Sequence, residues 1–124
     1  MILGVGTDLV EVGRMEKACE REHFTARVFT EMERRQAKGS ALKLAGSFAV
    51  KEAVAKALGT GFRGFLPADV EVVRDELGKP SVRLHRGAKA RFEAMGGERI
   101  EVSISDTDQL VTAFAVAEGR GGSE

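Results

Sequence analysis

The sequence predicts an α+β fold, antiparallel strands packed on one long buried helix, and three observations carry that expectation. The hydrophobic period is two in "MILGVGTDLVEV", "VEVVR", "SVRLH", "IEVSIS" and "LVTAFAVAE", and helical in the stretches between them. The order mixes helices with strands joined by short polar turns, which favours antiparallel pairing over a doubly wound parallel sheet. Finally, 124 residues suit one core, and no repeat or linker divides them. The domain is expected over residues 1–118, with "GRGGSE" from Gly119 to Glu124 as a flexible C-terminal tail.

Each element has a local reason. In the first strand Leu3, Val5 and Leu9 share one face, while Gly4, Gly6 and Asp8 share the other, so Asp8 stands on a face kept bare by glycine. From Gly13 to about Glu22 the period turns helical: Met15, Ala18 and Cys19 form a narrow apolar stripe, and Arg14, Lys17 and Arg21 fall together on another side. "TEME" at Thr30–Glu33 is a capping box, starting a short helix that stops near Gly39. Ser40 caps the long helix, and Gly59 ends it by supplying a left-handed residue. Beyond Pro67, "VEVVR" and "SVRLH" make a hairpin around "DELGKP", punctuated by Gly78 and Pro80. "RGAKARFEAM" is a further helix, and "IEVSIS" and "LVTAFAVAE" are two strands around the turn "DTDQ".

Composition excludes several classes. Nineteen Lys and Arg balance nineteen Asp and Glu, so the whole chain is no electrostatic magnet for nucleic acid or membrane. The lone Cys19 excludes an internal disulfide and a cysteine-built metal site, and fits a reducing, cytoplasmic setting. No apolar run reaches the roughly 18 residues of a membrane span, and the start lacks the marks of a signal peptide, so Met1 reads as the start of a mature, soluble protein. His23 and His85 read as surface or turn residues.

The long helix is apolar on nearly every side, yet it holds Lys51, Glu52 and Lys56. Glu52 and Lys56 stand at i and i+4, about 40° apart in projection, with Lys51 about 100° from Glu52. One reading is a partly buried ion pair. The other follows from the cost of desolvating two charges: a carboxylate and an ammonium serve better where a metal ion and a phosphate complete the site. Asp8 is the natural second carboxylate, and two carboxylates with phosphate oxygens and waters form the hard-oxygen set that Mg²⁺ prefers.

"GVGTDLVEVGRM", "FAVKEAVAKALGTGF", "ELGKP" and the terminal "VSIS" strand, in this order and spacing, resemble the holo-acyl-carrier-protein synthases, small bacterial phosphopantetheinyl transferases. The resemblance spans Ile2 to about Glu118. It implies transfer of the 4′-phosphopantetheine arm of coenzyme A to a serine of apo acyl carrier protein, with release of adenosine 3′,5′-bisphosphate. It implies that Asp8 and Glu52 hold Mg²⁺, with replacement by Mn²⁺ left open by the sequence, and that Lys56 contacts the phosphate and steadies the leaving group. Lys79 and Pro80 correspond to positions near the coenzyme A nucleotide, although an ordinary hairpin turn explains them equally well. Gly59, Thr60 and Gly61 either let backbone approach the pyrophosphate or merely turn the chain.

Two positions depart from the family pattern. Ser47 stands where many relatives have arginine, and Asp106 where many have histidine, so a phosphate contact from either is in question, since a carboxylate cannot donate. Arg14, Lys17 and Arg21 read either as a solvated face or, with Phe24 and Arg27, as the docking surface for the acidic carrier protein. A helix apolar all round suggests burial against another copy, and the resemblance implies a homotrimer with sites between subunits. The rival is a non-catalytic module that binds a nucleotide or an acidic protein. A DNA-binding role has only the Arg14/Lys17/Arg21 face in its favour.

Overall fold

In the computed structural model, which describes residues 1–120, a three-stranded antiparallel sheet lies on one side of a 17-residue helix and smaller elements cover the other. In chain order the elements are β1 (Ile2–Glu11), α1 (Val12–Ala18), α2 (Glu22–Val28), α3 (Glu31–Ala37) and α4 (Ala41–Ala57). A single 3₁₀ turn (Pro67–Asp69) leads to β2 (Val70–Arg74) and β3 (Pro80–Leu84), then α5 (Arg86–Ala94), β4 (Gly97–Asp106) and β5 (Leu110–Gly119). The sheet order is β1-β5-β4, with Asp8 opposite Ala113 and Ile104 opposite the same residue from the other side. β2 and β3 form a separate hairpin, as the sequence predicts.

The caps are where the sequence puts them. Thr30 accepts from the Glu33 N–H and Glu33 returns the bond to the Thr30 N–H; Ser40 accepts from the Lys43 N–H; and Gly59 is left-handed at φ +82°. The helix expected from Gly13 to Glu22 is instead two short ones. Glu20 and Arg21 donate three residues back, to Lys17 and Ala18, tightening the chain into a turn, and α2 then carries Phe24, Val28 and Phe29 toward the core. Of the expected tail, Gly119 ends β5 by donating to Met1 and Arg120 donates to Gly96, while residues 121–124 lie outside the described residues.

The core is built from small residues. Val111, Ala113, Ala115 and Ala117 line the inner face of β5, and Ala45, Ala49, Val50, Ala53 and Val54 of α4 have no exposed surface. The chain itself buries most of α4, leaving Phe48 and Glu52 half-buried and Lys43 and Lys56 exposed, so its apolar residues do not require a second copy. The exposed apolar surface is elsewhere: Val5, Leu9 and Phe114 stand on the outer face of the sheet, each about half exposed or more, with the glycine face of β1 turned inward. Period-two patterning locates the two faces of a strand, but here the face with the side chains is the one left outside.

Candidate active site

The three charges of α4 divide by depth. Lys51 is fully buried, and its ammonium donates to Glu33 Oε2 at 2.7 Å and to the carbonyls of Val70 at 2.8 Å and Pro67 at 3.0 Å. Glu33 in turn accepts from the backbone N–H groups of Thr30 and Val72. That network ties α3, α4 and the start of β2 together, and every polar atom in it is satisfied. Burial pulls the Lys51 ammonium below its ordinary range, and Glu33 opposes that pull. Lys51 is therefore a structural pin facing away from the site.

Glu52, one residue on and about 100° around the helix, faces the cavity that Asp8 also lines. The two carboxylates share the wall of an open cavity of about 660 Å³, whose other walls include Arg14, Met15, Phe24 and Phe48. Burial raises the Glu52 carboxyl above its usual range, the neighbouring Asp8 charge raises it further, and Lys56 opposes both. Lys56 donates to the Thr7 carbonyl at 2.9 Å and approaches Asp8 Oδ1 at 3.4 Å, with about half of its side chain in solvent. The Thr112 hydroxyl donates to the Asp8 carbonyl, fixing the strand there. Two neighbouring carboxylates in a half-buried site, with one half-exposed ammonium beside Asp8, carry excess negative charge. That is the condition a divalent cation relieves, and hard oxygen donors suit Mg²⁺ or Mn²⁺. Among the described residues no third His, Cys, Asp or Glu joins them, so remaining ligands would be phosphate oxygens and water.

The other expected residues lie apart from this cavity. Gly59 and Gly61 are both left-handed, and Gly61 returns its N–H to the Ala55 carbonyl, so the "GTG" folds back on the last turn of α4. Open space surrounds the position a Cβ would take on Gly61, which makes its conformation, not a close approach within this chain, the reason for glycine. Thr60 donates to the Gly61 carbonyl. Lys79 closes the β2–β3 turn through Asp75, Pro80 opens β3 opposite Arg74, and Asp106 is exposed at the end of β4. None of these lines the cavity of Asp8 and Glu52. Ser47 is buried.

Arg14, Lys17, Arg21 and Arg27 are exposed, but they are divided between α1, the turn after it and α2. Arg14 pairs with Glu11 at 3.0 Å, and Arg27 lies 3.4 Å from the His23 ring. Phe24 is half-buried, packing on Phe29 and Phe48 at ring separations of 6.4 and 6.5 Å. The aromatic wall it makes with Phe48 is a feature that sequence reasoning missed, because the two residues are 24 apart and only the break before α2 brings them together.

The fold is α+β, and it sets two carboxylates, Asp8 and Glu52, on one open cavity. A family model, the 4′-phosphopantetheinyl transferase superfamily, matches residues 4–115. A holo-[acyl-carrier-protein] synthase of Lachnoclostridium phytofermentans is 47% identical over 118 residues, covering 95% of this chain and 97% of its own. The crystal structure of the Neisseria meningitidis holo-[acyl-carrier-protein] synthase superposes with a TM-score of 0.86 at 35% identity, covering 95% and 99% of the two chains. That of Bacillus anthracis, in complex with CoA (3′,5′-ADP), gives 0.80 at 34% identity over 97% and 99%. The chain belongs to the 4′-phosphopantetheinyl transferase superfamily and, within it, to the holo-[acyl-carrier-protein] synthases.

Proposed function

We propose that this enzyme transfers the 4′-phosphopantetheine of coenzyme A to a serine of apo acyl carrier protein, in a Mg²⁺-dependent reaction that releases adenosine 3′,5′-bisphosphate. The observation that carries the detail is the half-buried Asp8–Glu52 pair on a wide cavity, with the Lys56 ammonium 3.4 Å from Asp8. The coenzyme A complex of the Bacillus anthracis relative supports coenzyme A as the donor.

Asp8 and Glu52 would hold the cation, which supplies positive charge to the pyrophosphate oxygens when bound. Lys56 has its ammonium tethered to the Thr7 carbonyl yet half in solvent, so it can swing to a phosphate oxygen and stabilise the charge that grows on the leaving group. Coenzyme A contacts are proposed for Lys56, Gly59, Thr60, Gly61, Lys79, Pro80 and Asp106. Lys79, Pro80 and Asp106 do not line the cavity, so in a homotrimer they would serve the cavity of a neighbouring subunit. The exposed Val5, Leu9 and Phe114 supply an apolar face for that assembly. Arg14, Lys17, Arg21 and Arg27 are proposed to receive the acidic carrier protein, with the exposed edge of Phe24 beside them. A cytoplasmic location belongs to the same proposal; among the described residues no helix is long and apolar enough to cross a membrane.

The test is incubation with coenzyme A, Mg²⁺ and apo acyl carrier protein, followed by mass spectrometry of the carrier. The expected result is a gain of one phosphopantetheine. An unmodified carrier, with an authentic transferase active in parallel, would overturn the proposal.

A further inference from the structure

The glycine face of β1 meets α4 backbone to backbone. A Cβ built on Gly4 would stand 2.0 Å from the Ala57 carbonyl oxygen, and one on Gly6 would stand 1.9 Å from that of Ala53. Both obstacles are main chain, so no side-chain rotation relieves them. The two contacts form a ladder. Going from Gly4 to Gly6 advances about 6.6 Å along a strand, and going from Ala57 to Ala53 retreats about 6.0 Å along a helix. The steps match to within about 1 Å, which lets an antiparallel helix and strand touch twice in succession. The next residue on that face of β1 is Asp8, the first to carry a functional group, and Glu52 and Lys56 immediately precede Ala53 and Ala57 in α4.

The gap between strand and helix is therefore also the gap across which Asp8 faces Glu52 and Lys56. We infer that Gly4 and Gly6 are positioning residues of the reaction: by removing both side chains from the contact, they hold α4 close enough to β1 for carboxylates on two different elements to act as one cation site. The inference rests on the cation reading proposed above. It gives the glycines a task that packing alone does not, because a helix docked slightly farther out still buries its apolar surface but separates the two carboxylates. An alanine at position 6 requires the helix to withdraw by about 1 Å before the contact reaches even the 3.0 Å that Cβ atoms essentially never undercut. A misplacement of about 1 Å at a reacting centre costs about 100-fold in rate.

The experiment uses the full chain and reads Mn²⁺ binding by electron paramagnetic resonance beside turnover and thermal unfolding. Gly6→Ala is expected to fold with a lowered melting temperature, to bind Mn²⁺ about 10- to 100-fold more weakly, and to lose about 100-fold in kcat. Val72→Ala, which opens the core at β2 and touches neither glycine's contact, is the control: it should lose stability and keep wild-type Mn²⁺ affinity. The decisive variant is a suppressor. Asp8→Glu adds one methylene of reach, so it should weaken Mn²⁺ binding in the wild-type background and restore it in the Gly6→Ala background. If Gly6→Ala does not fold, Gly4→Ala, one step farther from Asp8, takes its place with the same suppressor.

A folded Gly6→Ala protein with wild-type Mn²⁺ affinity and kcat would overturn the inference, as would a Val72→Ala control that loses Mn²⁺ equally or an Asp8→Glu change that rescues nothing. Failure of both glycine variants to fold would make the contact purely structural. A wild-type protein that binds no Mn²⁺ would remove the cation reading itself, and the positioning role with it. Because that last result appears before any glycine is changed, the two failures are distinguishable.

Discussion

Lys51 and Glu52 are neighbours in sequence, and replacing them should have opposite consequences. Lys51→Met leaves the Glu33 carboxylate buried without its cation and takes a donor from the Val70 and Pro67 carbonyls. Removing one partner of a buried ion pair costs about 3–5 kcal/mol. For a domain of this size each kcal/mol moves the melting temperature by about 4 °C, so the loss should be about 12–20 °C. Glu52→Gln should do the reverse. Burial and the Asp8 charge raise the Glu52 carboxyl in the folded state above its ordinary 4.5, so the native protein holds that proton more tightly than the unfolded chain. Its contribution to stability is thus full below pH 4.5 and lost as pH rises through the raised value. At pH 7 without divalent cation, the glutamine variant should melt roughly 1–4 °C above wild type, a small gain because the group is part-exposed. The difference should vanish in acid. Adding Mg²⁺ should raise the wild-type melting temperature and leave Glu52→Gln unmoved. Calorimetry at pH 4 and pH 7, with and without Mg²⁺, reads all of this. A Lys51→Met protein within 3 °C of wild type would refute the structural pin, and a Glu52→Gln protein less stable than wild type at neutral pH without cation would refute the strained pair.

Three further outcomes follow from the geometry. Lys56→Met should lower kcat by 10- to 100-fold with little change in the KM for coenzyme A, because a half-exposed ammonium acts on charge that grows at the transition state; steady-state kinetics separate the two constants. Reversing Lys17 and Arg21, which do not line the Asp8–Glu52 cavity, to glutamate should raise the KM for acyl carrier protein about 10-fold or more, leave coenzyme A affinity unchanged, and lose much of its effect in added salt. If the proposed homotrimer forms through the outer face of the sheet, Phe114→Lys with Val5→Lys should give monomers in analytical ultracentrifugation and abolish transfer; active monomers would contradict the shared site.

Much of this was legible in the chain. The capping residues Thr30, Ser40 and Gly59 act through local bonds, and local bonds are written in local sequence. The bare glycine face of β1 and the i, i+4 spacing of Glu52 and Lys56 were likewise visible as periods. What was hidden depends on partners distant in sequence. Whether Lys51 or Glu52 faces the cavity is decided by Glu33 and the Val70 carbonyl, 18 and 19 residues away. The burial of α4 by its own chain, which leaves Val5, Leu9 and Phe114 outside, depends on which face of β1 the helix covers, and Gly4 and Gly6 decide that by backbone contact. The split into α1 and α2 was hidden because the amphipathic pattern runs unbroken through Cys19–Arg21, while the chain turns there to bring Phe24 onto Phe48.

The central claim is that Asp8 and Glu52 act as one cation clamp for phosphopantetheine transfer. Its most direct test is the single-turnover transfer rate from coenzyme A to apo acyl carrier protein, measured against Mg²⁺ concentration for wild type, Asp8→Asn and Glu52→Gln. Wild type should show a saturable Mg²⁺ dependence. Each variant should need at least 10-fold more Mg²⁺ for half-maximal rate and should transfer at least 100-fold more slowly at limiting Mg²⁺. Transfer at the wild-type rate by either variant at limiting Mg²⁺ would contradict it.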